Sequence, residues 1–143
     1  FMSWRFASNA QRQLTEAHEH NARIEEEIAK IAISRKILKS IDARIDELIY
    51  VIEGLSSRYQ EVLLPKLKKI CKKYSDSDGR VSFAECSEPS KQGIVLAAYY
   101  IKAIKNVLQA KVLDDKNQLH EESLRIMEEV KRDPAFSEAL DYA

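Results

Sequence analysis

The segment from Tyr74 to Glu85 holds the side chains of this sequence that are best suited to chemistry. It reads YSDSDGRVSFAE, and its oxygen-bearing members include Asp76, Asp78, Ser82 and Glu85. Carboxylate and hydroxyl oxygens are the ligands that hard cations such as Ca²⁺ prefer. The segment is therefore a candidate cation site.

Their spacing resembles the calcium-binding loop of the EF-hand family, which repeats acidic residues at alternate positions and places Gly at the sixth. With Gly79 at the sixth position, Asp76, Asp78, Ser82 and Glu85 occupy positions three, five, nine and twelve. Tyr74 stands at position one, where the family has Asp, and we find no second loop of this kind in the chain. The resemblance covers only this loop and implies that Asp76, Asp78, Ser82 and Glu85 are the metal ligands of a weak calcium site. We expect no other cofactor.

A structural interpretation of the same residues stays open beside the calcium site. Asp and Gly are also the residues that tight turns require, because Asp caps its own backbone and Gly accepts a positive φ. On this interpretation Asp76, Asp78 and Gly79 form a turn that connects two helices.

A basic amphipathic segment lies just before the loop. It alternates apolar residues such as Leu67 and Ile70 with lysines, a pattern that suits an acidic protein or an anionic membrane surface as well as plain solvent. The candidate partner surface consists of Lys66, Lys68, Lys69, Lys72 and Lys73.

Catalytic signatures are missing from the sequence. Glycine occurs only at positions 54, 79 and 93, so no phosphate-binding or nucleophile-elbow motif can be formed.

His18 and His20 point about 200° apart on a helix and cannot chelate one ion together. His120 stands beside two glutamates, where a solvated charged face is the simplest account. We expect a protein that is not an enzyme.

Composition predicts a mainly helical chain. Only 3 Gly and 3 Pro occur among 143 residues, which leaves few positions for turns. The 23 basic and 23 acidic residues cancel, so no global field favours nucleic acid. Cys71 and Cys86 are too far apart for a CxxC motif, and free thiols are expected. No stretch predicts a membrane span, so we expect a soluble protein, with a cytoplasmic location favoured unless the chain is a fragment of an anchored one.

Hydrophobic spacing gives the fold class. One row of apolar residues recurs every seven positions, and a second row interleaves with it, as in coiled coils and antiparallel bundles. The rows are Ile24, Ile31, Leu38, Ile45, Ile52 and Tyr59, and Ile41, Leu48, Leu55 and Val62. We predict an all-α, elongated and coiled-coil-like bundle in one domain, residues 1–143. It comprises a long amphipathic helix or helical hairpin (10–73), the loop (74–88) and C-terminal helices (89–143).

The C-terminal part predicts two antiparallel helices and a short tail helix. Ser87 or Ser90 is expected to cap the first helix, which is apolar around most of its circumference and so belongs in the middle of a bundle. Asp114 or Asp115 is expected to cap the second, with Leu119 on its apolar face. Asp133-Pro134 is expected to start a tail helix from Ala135 to Tyr142.

Three functions follow as expectations. The first is a non-enzymatic scaffold or protein-interaction module, which either binds another protein or self-associates as a homodimer. The second is a calcium-responsive module built on the acidic loop, and the third is attachment to anionic surfaces through the lysine segment.

Overall fold

The computed structural model describes residues 2–140 and is almost entirely helical, with no β-strand in that range. The all-α prediction is confirmed, as is its order of a long N-terminal helix, further helices and a short C-terminal helix. The chain divides into two compact units, residues 1–40 and residues 41–143.

The long N-terminal helix is continuous rather than a hairpin. Helix α1 spans Met2–Arg58, a π-helical turn spans Tyr59–Leu63, and helix α2 spans Leu64–Tyr74. No reverse turn occurs at Lys39-Ser40. Pro65 lies at the start of α2, directly after the π-helical turn. Because proline lacks an N–H and its ring crowds the preceding turn, the wider π-helical turn relieves that clash without ending the helix.

The first unit is formed by the N-terminal part of α1 alone. From Ser3 to Ser40 every side chain is exposed except that of Ile37, which is half-buried. This segment therefore has no hydrophobic core of its own.

The second unit contains the core. Its remaining helices are α3 (Glu88–Gln109), α4 (Glu121–Arg132) and α5 (Ser137–Leu140), with 3₁₀ turns at Phe83–Glu85 and Pro134–Phe136. Apolar residues from α1, the π-helical turn, α3, α4 and the C-terminal segment meet in one cluster. Its members are Leu48, Val51, Leu55, Leu63, Ala97, Tyr100, Ala103, Val107, Met127, Val130, Phe136 and Ala139.

The buried face of α1 in this unit differs in part from the predicted one, although Ile52 and Tyr59 of the predicted first row are partly buried against the core. Val51 is 0% exposed, whereas Ile45, which belongs to the predicted first row, is 41% exposed. The predicted second row is correct at Leu48 and Leu55, which are both buried. The other row of the core face contains Arg44 and Val51, each one residue before the corresponding member of the predicted first row, Ile45 or Ile52.

Polar contacts align the same stretch of α1 with α4 and the C-terminal end. Arg44 donates to the fully buried Ser123 hydroxyl across 3.1 Å, and Ser123 donates in turn to the carbonyl of His120. Tyr50 donates to the carbonyl of Leu140 across 2.7 Å. The Ser123 hydroxyl thus has partners for both its proton and its lone pair, as a buried polar group needs.

Helix starts agree with prediction at two positions and differ at a third. Ser87 occupies the N-cap position of α3, although its side chain makes no capping hydrogen bond. Asp133 caps the C-terminal 3₁₀ turn by accepting from the N–H of Ala135. Helix α4 begins at Glu121, so the predictions of an Asp114 or Asp115 cap and of Leu119 on its helical face were wrong. The tail helix α5 begins at Ser137 and not at the predicted Ala135, and its predicted end at Tyr142 lies outside the described residues.

Candidate functional surfaces

The acidic loop is organised by the side chain of Asp76. Its Oδ1 accepts the N–H groups of Asp78 (2.9 Å) and Arg80 (2.8 Å), and its carbonyl accepts the N–H of Gly79. Gly79 has a φ of +75°, and Ser75 and Val81 form a short antiparallel bridge that closes the loop. The Asp and Gly residues therefore have the roles that a tight turn requires of them.

A second loop repeats this geometry between α3 and α4. Asp114 Oδ1 accepts the N–H groups of Lys116 (2.8 Å) and Gln118 (2.9 Å), and its carbonyl accepts the N–H of Asn117. Leu113 and Leu119 close this loop as Ser75 and Val81 close the first. The second loop is a turn of the same kind and not a second EF-hand loop, and Asn117, with a φ of +58°, takes the place of Gly79.

Comparison of the two loops separates turn formation from ion binding. Lys116 stands in the second loop where Asp78 stands in the first, yet the same backbone hydrogen bonds form. A carboxylate at that position is therefore not needed for the turn. The two N–H donors also lower the pKa of the Asp114 carboxyl below its ordinary value, chiefly through the hydrogen bond from Gln118.

The four predicted metal ligands are placed along the exposed side of the first loop. Asp76, Asp78, Ser82 and Glu85 are all exposed, and the last two lie at the start and end of a 3₁₀ turn. Within residues 2–140 no group of three or more His, Cys, Asp or Glu side chains is arranged to hold a metal ion. Calcium binding stays a prediction, and the hydrogen bonds of the turn account for Asp76 and Gly79 without an ion.

Tyr74 connects the end of α2 to the start of α3. Its hydroxyl accepts the N–H of Ser87 at 3.3 Å, and the Lys73 ammonium lies 5.1 Å from the centre of its ring. Hydrogen bonding from Ser87, through its side chain and its backbone, lowers the pKa of Tyr74 to about 8. The residue at the first EF-hand position thus has a structural contact.

The predicted partner surface on α2 is accessible. Lys66, Lys68, Lys69, Lys72 and Lys73 are all exposed, while Leu67 and Ile70 on the other side of the helix are half-buried. Lys72 and Lys73 lie in the last turn, where positive charge favours the negative end of the helix dipole. At least these two lysines therefore have a structural role that requires no partner.

The histidines serve different purposes from a metal site. His18 and His20 are exposed on the first unit. His120 is the N-cap of α4, and its Nδ1 accepts the N–H of Glu122 at 3.1 Å. Sequence reasoning missed this role because the two aspartates upstream are stronger capping residues, and Asp114 is already engaged in the second loop.

One groove in the second unit places polar groups beside an aromatic pair. Tyr99 donates to Asp133 Oδ2 at 2.5 Å, and its ring stacks on that of Phe136 with centroids 5.1 Å apart. The hydrogen bond to Asp133 raises the pKa of Tyr99. The second oxygen of Asp133 caps the adjoining 3₁₀ turn, so both oxygens of this carboxylate hold the C-terminal segment in place.

The outer side of α3 is more exposed than its sequence predicted. Tyr100 is buried, but Val95, Ile101 and Leu108 are exposed. The expectation that α3 lies in the middle of a bundle was therefore wrong for the described residues, and one side of this apolar helix meets solvent.

A regular apolar row is exposed on the first unit. We call it the N-terminal stripe; it follows three-and-four spacing through Leu14, Ala17, Asn21, Ile24, Ile28, Ile31, Arg35 and Leu38. Its five large aliphatic side chains are 45–60% exposed. The predicted first row contains Ile24, Ile31 and Leu38, but the predicted second row begins only at Ile41 and supplies no residue of this unit. The second row of the stripe runs instead through Asn21, Ile28 and Arg35.

No helix among residues 2–140 is long and apolar enough to cross a membrane. Both cysteines in this range are free; Cys71 is exposed and Cys86 is buried. Comparison with protein-family models, with curated proteins and with solved structures found no match to this chain.

Proposed function

We propose that this protein is a non-enzymatic helical interaction module that self-associates by pairing its N-terminal stripe with the stripe of a second copy. The observation that carries the proposal is the exposure of every large aliphatic residue of the stripe in a unit that has no core. Single exposed apolar residues are ordinary on protein surfaces, but five large aliphatic side chains in one row, with only Asn21 and Arg35 as polar members, are typical of an interaction site.

Helix stability gives an independent reason for a partner. Most helices in proteins are stabilised by burial of an apolar face rather than by intrinsic propensity. Residues 3–40 bury almost nothing, and their ion pairs are exposed local ones, such as Lys30 with Glu26 at 3.0 Å. Exposed pairs of this kind contribute only about 0.3–0.5 kcal/mol each. A second helix along the stripe would supply the missing burial.

Spacing and charge favour a helix of the same kind as the partner. The alternation of three and four residues is the geometry in which two helices wrap around each other with knobs in holes. The whole chain has 23 basic and 23 acidic residues, so two copies do not repel each other through net charge. A second copy satisfies both conditions without any further component.

Light scattering after size exclusion, over a series of concentrations, tests the proposal. We expect the wild-type mass to rise from that of one chain to that of two. Ile31→Lys, on the stripe, should move the protein toward the monomer because it places a charge in the pairing face.

Ile33→Lys provides the matched control. Ile33 is 61% exposed on the same helix but lies two residues from Ile31 and therefore on the opposite side. This variant should associate as the wild type does. A wild-type protein that stays monomeric at every concentration, or equal effects of the two substitutions, would contradict self-association through the stripe.

A further inference from the structure

We infer that the two copies pair in parallel and in register, with Asn21 of one copy opposite Asn21 of the other. The inference rests on the proposed self-association and specifies its geometry. It follows from the positions of the polar residues within the N-terminal stripe.

The stripe fits one heptad frame without interruption. In that frame Leu14, Asn21, Ile28 and Arg35 take the first core position, called a, and Ala17, Ile24, Ile31 and Leu38 take the second, called d. Both polar residues of the seam thus occupy a positions, and every d position is apolar.

This distribution separates parallel from antiparallel pairing. In a parallel two-stranded coiled coil a residues face a residues, whereas in an antiparallel one they face d residues. Any antiparallel alignment along the stripe therefore places the amide of Asn21 opposite an aliphatic side chain, where it has no hydrogen-bond partner. A parallel alignment that is shifted by one heptad places Asn21 against Leu14 or Ile28, with the same result.

Only the parallel in-register alignment pairs the amide with another amide. A carboxamide both donates and accepts, so two asparagines that face each other can form a hydrogen bond. A single Asn at an a position is known to fix register and strand number at a cost in stability.

Residues that flank the seam agree with this alignment. In parallel register, the residue just before an a position of one copy lies opposite the residue just after the next d position of the other copy. This rule pairs His20 with Glu25 and Glu27 with Ala32. Ser34 then meets Lys39, and no like charges face each other. An antiparallel alignment that centres on Ile24 and Ile28 would bring the glutamates at 25 and 27 of both copies together.

Arg35 does not decide between the alignments. In parallel register Arg35 would lie opposite Arg35 of the other copy. Its long aliphatic stem can cover the seam while the guanidinium reaches water. Arg35 therefore weakens one layer near the end of the stripe. Asn21 has a shorter side chain, so its amide stays within the seam.

Disulfide trapping tests the geometry in the full chain. Cys71→Ser and Cys86→Ala remove the native thiols, and circular dichroism checks that the background is folded. Leu14→Cys and Leu38→Cys are then introduced singly and equilibrated with oxidised and reduced glutathione, so that two thiols give one disulfide and two equivalents of reduced glutathione. The two positions are roughly 36 Å apart along a helix at 1.5 Å per residue.

Each single variant should form a disulfide-linked dimer with itself. An equal mixture of the two variants should give no product linking position 14 to position 38, as read by mass spectrometry. Ile33→Cys, on the opposite side of the helix, should stay unlinked. With Asn21→Leu added, the 14-to-38 product should rise from absent toward its statistical share, because an all-apolar seam no longer distinguishes the alignments.

The outcomes separate the two proposals. Two results with a dimeric protein and Asn21 intact would overturn the parallel in-register geometry while self-association stands. One is formation of the 14-to-38 product, and the other is the absence of a disulfide from each position to itself. A background protein that light scattering shows to be monomeric, without cross-links at any position, overturns self-association itself.

Discussion

Phe136 fixes the C-terminal segment onto α3, and its truncation gives a quantitative test of the second unit. It is 3% exposed. Its ring lies between two tyrosines, stacked on Tyr99 with centroids 5.1 Å apart and edge-on to Tyr100 at 5.0 Å. Tyr100 also donates to the carbonyl of Ala135 at 2.9 Å, and burial raises the pKa of this tyrosine. The ring thus joins two residues of one helix to the chain end.

The expected loss can be divided between volume and ring geometry. Phe→Ala in a core costs about 3–5 kcal/mol through lost burial and the cavity that remains. Phe136→Leu keeps most of the volume but removes two aromatic pairs, each worth about 0.5–1.5 kcal/mol, so roughly 1–3 kcal/mol should be lost. A domain is typically stable by only about 5–15 kcal/mol, so the alanine variant removes a large fraction of that margin.

Urea denaturation followed by circular dichroism measures both changes. With a slope of about 1.5 kcal/mol per M, Phe136→Ala should lower the midpoint by roughly 2–3 M. Phe83→Ala is the matched control, because Phe83 is 48% exposed and an exposed truncation usually changes stability by only about 0.5 kcal/mol. Equal midpoints for Phe136→Ala and the wild type would refute the packing of the C-terminal segment on α3.

Three further predictions concern the loops and caps. His120→Ala should destabilise the protein by about 1 kcal/mol through loss of the α4 cap, and His120→Asn should largely restore it; equal midpoints for His120→Ala and wild type would argue against the cap. Tyrosinate absorbance should show one ionisation near pH 8 that Tyr74→Phe lacks, and an unchanged titration would contradict the assignment. The folded pKa of Tyr74 lies below the unfolded value of 10.0, so ionised Tyr74 stabilises the folded state. This stabilisation is complete above pH 10 and is lost as pH falls through about 8. The free energy of unfolding of the wild type should therefore rise relative to that of Tyr74→Phe between about pH 8 and pH 10. Millimolar Ca²⁺ should leave the melting temperature unchanged, because hydrogen bonds already account for the turn at Asp76, whereas a rise would support the calcium site.

The sequence was sufficient for the parts of the fold that depend on local chemistry. Scarcity of glycine and proline predicted the helical class, and Asp133-Pro134 predicted the C-terminal cap. Ser87 was correctly expected before α3. These features depend on one residue type at one position in the chain, so no knowledge of distant contacts was needed.

Features that depend on competition between residues were less accessible. Asp114 is a good capping residue, but its side chain satisfies the N–H groups of its own loop, so the cap of α4 comes from His120. The second loop was overlooked because Asn117 replaces the glycine and Lys116 replaces an acidic residue. Its signal is the shared Asp followed three residues later by a residue that tolerates positive φ, and that pattern is short enough to occur often by chance.

Exposure of the α3 surface had the same kind of cause. Periodicity can show that a helix is apolar around most of its circumference, but it cannot count the neighbours available to cover that surface. In the second unit the core uses the side that carries Ala97, Tyr100 and Val107. Val95, Ile101 and Leu108 are left exposed because the described residues supply no further helix against them.

The predicted seam combined two apolar rows whose heptad phases differ. In the first unit the stripe leads through Ile31 to Leu38 in steps of three and four residues. In the second unit the core face leads through Ile41 to Leu48 in the same steps. After the three-residue step from Arg35 to Leu38, a step of four residues would continue the stripe. The core row begins instead three residues later, at Ile41, so its heptad phase differs from that of the stripe. The stripe and the core row are therefore not one continuous heptad seam, and the predicted seam failed where it joined them.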